Sequence, residues 1–187
     1  MPRSLLDDEK LFYERFWALH GDRELLSVAH QFGIGVLRRS SVLEGFDKFL
    51  QQQKFGGERC IEIGTCKGLT AIVLARYFKE VITIDNATDP DKRAIAGFCG
   101  LRDRIRFFDI KDNSEKAEVI DGFKFDGAYV DADHIRDTEF DFALVSKCRR
   151  VLFHEYWDAQ PAVKNLVDRL AKTGKVVTQG KLALWTA

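Results

Sequence analysis

Two carboxylates and an imidazole fall within four residues at Asp131-Ala132-Asp133-His134, and an imidazole and a carboxylate adjoin again at His154-Glu155. Such groups are costly to bury, so each cluster belongs at an edge facing a site or water. The residue types divide the chemistry in two. Histidine as a residue type titrates near neutrality, so His134 or His154 suits a general base. Asp131 and Glu155 are hard oxygen donors that suit magnesium or calcium, and His154 is a softer neighbour. A metal there would bind vicinal oxygens of a substrate and acidify a hydroxyl. The histidine in the second pair favours the general-base version. Each group also has a structural alternative: Asp133 as the N-cap of a helix from about Ile135 to Lys147, and His154 with Glu155 as a plain strand end.

These residues need strands to carry them. Gly127 to Val130 reads as a strand ending at Asp131, and Val151 to Phe153 as one ending at His154. Earlier in the chain, Arg59 to Asp85 reads strand, glycine turn, helix, strand. Cys60 to Ile63 is a short apolar run stopped by Gly64. Leu69 to Phe78 has Leu69, Ile72, Val73 and Tyr77 at helical spacing, and Val81 to Ile84 is a β-branched run closed by Asp85. Two parallel strands joined by a helix form a right-handed crossover, and ligands of such sheets lie beyond the carboxyl ends of the strands. Glu62-x-Gly64 and Asp85 occupy two of those ends. Asp85 is placed to accept hydrogen bonds from a ribose, so the ligand expected is a nucleoside.

The turn reads Glu62-Ile63-Gly64-Thr65-Cys66-Lys67-Gly68, without the third glycine of the dinucleotide pattern G-x-G-x-x-G. It resembles motif I of the class I S-adenosylmethionine (SAM)-dependent methyltransferases in the EIGT-x-x-G variant of the small-molecule O-methyltransferases. The segments VITID, FDGAYVDADH and FHEYWDAQPAV follow in the order that family shows, and the likeness spans about Phe55 to Ala187. It implies a Rossmann-like α/β fold: a seven-stranded, mostly parallel sheet with helices on both faces and a terminal antiparallel hairpin. It implies SAM as cofactor, held by Glu62, Gly64, Thr65, Cys66 and Gly68 in the turn and by Asp85 and Asn86 after the second strand, with Asp85 on both ribose hydroxyls. It assigns Asp109 to the exocyclic amine of adenine and Ile110 to the ring face; the structural alternative is that Asp109 starts a turn or caps the helix Ser114 to Asp121. Catalysis would fall to Asp131, His134 and His154. In the metal-dependent relatives the position of Asp131 ligates magnesium, and the positions of His154 and Glu155 complete the site. The departure is at the fifth strand, where relatives have a Pro-Gly or Gly-Gly turn and this chain has Cys148-Arg149-Arg150.

The activity so implied is methyl transfer to a hydroxyl of a small molecule. The Asn- or Asp-Pro-Pro-aromatic motif of base-amine methyltransferases is missing after the fourth strand, and no cysteine follows a proline as a cytosine-carbon enzyme needs. RNA ribose methylation and a SAM-binding subunit without catalysis are the alternatives. Lys plus Arg number 29 and Asp plus Glu 29, so no basic excess draws a nucleic-acid backbone. No apolar run spans a membrane, and the N-terminus lacks a signal-peptide core. Four scattered cysteines suit a reducing, cytoplasmic setting. At 187 residues one domain is expected. Leu5 to His20, Arg23 to Phe32 and Val42 to Gln53 read as helices, so residues 1–54 form an N-terminal helical cap on the 55–187 core. Pro161 opens a helix, Ala162 to Ala171, and Lys175 to Thr178 with Leu182 to Thr186 close the chain as a hairpin.

Overall fold

Strand β1 (Gly57–Ile63) is apolar on both faces: Cys60 points to one side, Ile61 and Ile63 to the other, and all are buried. A strand buried on both faces belongs inside a parallel sheet covered by helices on each side. The computed structural model, which describes residues 45–66, 68–86, 91–98, 101–131 and 137–187, shows that arrangement. Around β1 lie β2 (Phe78–Asp85), β3 (Ile105–Asp109), β4 (Gly127–Val130), β5 (Arg150–Phe153), β6 (Lys175–Gln179) and β7 (Leu182–Thr186), in the order β3-β2-β1-β4-β5-β7-β6. The pairs from β3 to β5 are parallel, and β7 is antiparallel to both β5 and β6. The seven-stranded sheet with a closing hairpin is the one expected from the sequence.

Residues 45–52 are helical (α1). They are followed by α2 (Leu69–Leu74), α3 (Asp91–Phe98), α4 (Asn113–Asp121), α5 (Thr138–Val145) and α6 (Pro161–Leu170). Phe46, Phe49 and Leu50 of α1, the α2 residues and Ala96 of α3 pack with Cys60, Val81, Tyr129 and Leu152 on one face. Ile120, Val145 and the α6 stripe Val163, Leu166, Val167 and Leu170 pack with Ile61, Ile82, Val130 and Phe153 on the other. Each such side chain contributes about 1.5–3 kcal/mol when fully buried. The N-terminal helices before residue 45, and with them most of the expected cap, lie outside the described residues.

The helix expected to run to Phe78 stops at Leu74. Sheet pairing overrides helical spacing here: Gly57 N–H bonds Tyr77 O at 3.2 Å, Phe78 pairs with Gly57, and the Phe78 ring packs edge-on against Phe55 at 5.2 Å. Gly127 opens β4 where a Cβ would sit 2.7 Å from Phe78 and 3.0 Å from Phe55, so only glycine fits. β5 starts without a glycine turn. Arg150 instead ties its first residue to the end of α1, donating to Lys54 O and Gln53 O at 2.7 Å each, a favourable place for a cation at a helix C-terminus.

Candidate functional site

The strand order reverses direction between β1 and β4, and loops leaving those strands diverge there. Gly64, Asp85, Asp109, Asp131 and His154 follow or close successive strands, so the sheet brings them to one edge. Hydrogen bonds from one strand end to the next hold that edge. Gly64 N–H donates to Ile84 O at 2.8 Å, Ile110 N–H to Asp85 O at 2.9 Å, Asp131 N–H to Ile63 O at 2.8 Å and His154 N–H to Val130 O at 3.1 Å.

The turn after β1 needs left-handed backbone at Gly64 (φ 100°), Cys66 (φ 47°) and Gly68 (φ 77°). Two glycines supply it without strain. At Cys66 the conformation is held by Asp85, whose Oδ2 accepts the Cys66 N–H at 2.5 Å. Behind the turn, Glu62 and Thr65 are buried with Thr83. The Thr83 hydroxyl donates to Glu62 Oε2 and lies 2.5 Å from the Thr65 hydroxyl, whereas Glu62 Oε1 is buried without a well-formed hydrogen bond. Burial pushes the Glu62 carboxyl up to about 8. The Thr70 and Thr83 hydroxyls offset part of that, and Asp131 and Asp85 add to it.

In front of the turn lies a cavity of about 270 Å³, near the lower end of the usual range for small-molecule sites, about 300–1,000 Å³. Gly64, Cys66, Asp85, Asn86, Ile110 and Asp131 line it. The same wall holds residues that the sequence reading missed: Lys111, Asp112 and Asn113, then Lys116 and Asp137. Asp112 caps α4 by accepting from Ser114 N–H and Glu115 N–H at 2.8 and 3.0 Å. The acidic residue just before Asn113-Ser114-Glu115 was the available signal; the cap is Asp112 and not Asp109.

The Asp109 carboxylate turns to α3. It binds Lys92, which is fully buried, and Arg93 at 2.8 Å. Partial burial opposes the charge, yet the two cations outweigh it and hold Asp109 below its ordinary value. Asp109 is not among the cavity-lining residues, nor are Glu62, Thr65 and Gly68.

At the end of β4 the two oxygens of Asp131 are divided. Oδ2 accepts the Tyr129 hydroxyl at 3.0 Å, and Oδ1 lies 2.9 Å from His154 Nδ1. Burial, and then Asp131, push the Tyr129 phenol well up, so it remains a donor. Both Asp131 and His154 are part-exposed, each at 21% of the side chain.

No protein-family model matches the chain, and no curated protein matches it in sequence. Solved structures do match. An O-methyltransferase from Bacillus cereus in complex with SAH is 17% identical, with 96% of this chain and 90% of that chain covered and a TM-score of 0.63. The O-methyltransferase TomG from Streptomyces achromogenes, involved in tomaymycin synthesis and solved with SAM, is 21% identical over 100% of both chains, with a TM-score of 0.61. CalS11, a TDP-rhamnose 3'-O-methyltransferase of calicheamicin biosynthesis, is 12% identical with a TM-score of 0.59, 96% of this chain and 94% of that chain being covered. The chain has the fold of these enzymes. At these identities the likeness is one of architecture.

Within this fold, the described donors do not fit a magnesium ion. Asp131 is engaged by Tyr129 and His154, and Lys181 Nζ holds both Glu155 oxygens at 3.1 and 3.0 Å. Among the described residues no group of three or more His, Cys, Asp or Glu is disposed to hold a metal. Glu155 also adopts a left-handed backbone (φ 59°), a conformation that costs a non-glycine residue of order 1 kcal/mol or more. His134 and Asp133 lie outside the described residues. Among the described residues no helix is long and apolar enough to cross a membrane.

Proposed function

We propose that the chain is a SAM-dependent methyltransferase that methylates a hydroxyl of a small molecule, with His154 as general base and Asp131 as the group that orients it. The observation that carries this reading is the 2.9 Å contact between Asp131 Oδ1 and His154 Nδ1, beside a cavity at the β1/β4 reversal. The sheet likeness to enzymes solved with SAM and SAH supports the choice of cofactor.

Asp85 and Asn86 would hold the ribose end, Ile110 the face of the base, and Gly64 and Cys66 the methionine end. SAM supplies a methyl group on a positively charged sulfur, which is already a good leaving group. The protein's task is therefore to align, desolvate and deprotonate. Asp131 accepts the Nδ1 proton of His154, which leaves Nε2 as the acceptor nitrogen. Nε2 takes the proton of the substrate hydroxyl as the oxygen forms its bond to the methyl carbon. With SAM bound, the carbon–sulfur bond would break toward sulfur and leave the neutral thioether SAH, and the His154 imidazolium would return its proton to water. Asp131 stabilises that imidazolium. A reducing, cytoplasmic setting agrees with free thiols at Cys60, Cys66 and Cys148.

The test is calorimetric titration with SAH, using NAD as control, then a screen of phenols, sugars and other hydroxyl compounds with SAM labelled in the methyl group. SAH binding without NAD binding, followed by label transfer that needs His154, is expected. Binding of NAD alone would overturn the assignment.

A further inference from the structure

We propose that the Glu62–Thr83–Thr65 chain behind the glycine turn makes the cavity selective for the sulfonium form of the cofactor over its neutral thioether product. This deepens the function proposed above and rests on it.

Glu62, Thr83 and Thr65 are each buried, at 0%, 0% and 2% exposure. Glu62 and Thr83 face each other across the β1–β2 pair, and their side chains are hydrogen-bonded. The Thr83 hydroxyl passes the contact to Thr65, in the turn between Gly64 and Cys66. Glu62 is thus connected to the turn from behind, while its chain neighbours Ile63 and Gly64 line the cavity in front.

The titratable groups that act on Glu62 are Asp131 and Asp85 at the ends of the flanking strands, Cys60 on its own strand, and Tyr129, its register partner on β4. Thr70 acts from α2 as a hydroxyl. Asp85 and Asp131 line the cavity and raise the proton affinity of Glu62 through space. A charge placed between them therefore acts on Glu62 as well, with the sign reversed if it is a cation. In the empty cavity Glu62 holds its proton at neutral pH. A sulfonium entering the cavity draws that proton off and leaves a carboxylate that attracts the sulfonium. After methyl transfer the sulfur is neutral, the attraction is gone and Glu62 takes a proton back. By linkage, a ligand that releases a proton binds more tightly as pH rises, up to about tenfold per unit per proton.

The experiment is calorimetric titration of the full chain with SAM and with SAH between pH 6.5 and 9, in two buffers of different ionisation enthalpy to count protons. Because both ligands carry an amino group that titrates, the Glu62→Gln variant, which keeps an oxygen for Thr83, is measured alongside. Expected is a SAM-over-SAH affinity ratio that rises about tenfold over the range in the parent protein, and does so less in Glu62→Gln. An infrared difference spectrum at pH 7 covers the case where that variant does not fold. The protonated carboxyl band should vanish on adding SAM to the parent protein and persist on adding SAH. A ratio with the same pH dependence in both proteins, or a carboxyl band that both ligands leave unchanged, overturns the proposal while the methyltransferase reading stands. If the folded protein binds neither ligand at any pH, both fall together.

Discussion

Asp131 Oδ1 and His154 Nδ1 are 2.9 Å apart although 23 residues separate them in the chain. The contact follows from register. Val130 pairs with Phe153 on adjacent parallel strands, so the residues just beyond meet at the sheet edge. An imidazole anchored at Nδ1 presents Nε2 outward, as general-base catalysis requires.

Replacing His154 by Gln should therefore lower kcat about 10²–10⁴-fold and change SAH affinity by less than about twofold, because His154 does not line the cavity. Asp131→Asn should also lower kcat, since an amide cannot stabilise the imidazolium. Steady-state kinetics with calorimetry separates the two effects. A His154→Gln enzyme with parental kcat would remove the general-base assignment.

Asp85 has two tasks: it fixes the Cys66 N–H and faces the cavity. Asp85→Ala should weaken SAH binding about 10–100-fold, from the loss of a charged hydrogen-bond partner worth about 1.5–3 kcal/mol. Calorimetry reads it directly, and unchanged affinity would exclude Asp85 from the ribose contact.

The Glu62 carboxyl is raised from 4.5 to about 8 in the folded protein. Between those values the native state holds a proton that the unfolded chain has lost. The unfolding free energy contributed by Glu62 therefore falls as pH rises from about 4.5 to about 8. The penalty reaches at most on the order of 5 kcal/mol above that window. Glu62→Gln should flatten that decline. Urea melts of both proteins at pH 5 and pH 8 provide the check, and parallel declines would show that Glu62 is not its source.

Lys116 of α4 and Asp141 of α5 form a buried pair at 2.7 Å, with side chains only 8% and 1% exposed. Removing one partner leaves a charge in a dry place. Lys116→Met should cost about 3–5 kcal/mol, while Lys116→Met with Asp141→Leu should recover most of it. A double-mutant cycle in urea tests this. Equal losses in the single and double variants would mean that the pair is not coupled.

The parts of this molecule written in local chemistry could be read from the chain. Gly64 and Gly68 mark a turn because left-handed backbone asks for glycine, and Asp85 and Asp131 mark strand ends because a carboxylate stops an apolar run. Features made by pairing between distant segments could not. The helix expected to reach Phe78 ends at Leu74 because Phe78 is taken by Phe55 and Gly57. Asp109 stood in the right place for adenine, yet its charge is drawn to Lys92 and Arg93 on the preceding helix, and no periodicity signals that choice. Likewise Lys181 sits 26 residues beyond Glu155, in the tip of the last hairpin, so its grip on that carboxylate appears only when β7 is laid beside β5.

The neighbour relation between β1 and β4 has a consequence for how the protein is made. The first three strands and their helices can gather from nearby sequence, and with them most of the cavity wall, but Asp131 and Asp137 join that wall only when β4 docks beside β1, about seventy residues later in the chain. A partly built molecule has the glycine turn and the wall made by residues 110–113, but lacks the carboxylates of Asp131 and Asp137. Complete ligand binding is therefore a property of the finished sheet, and a ligand that fills the cavity joins the two halves of the chain, favouring the completed fold by mass action.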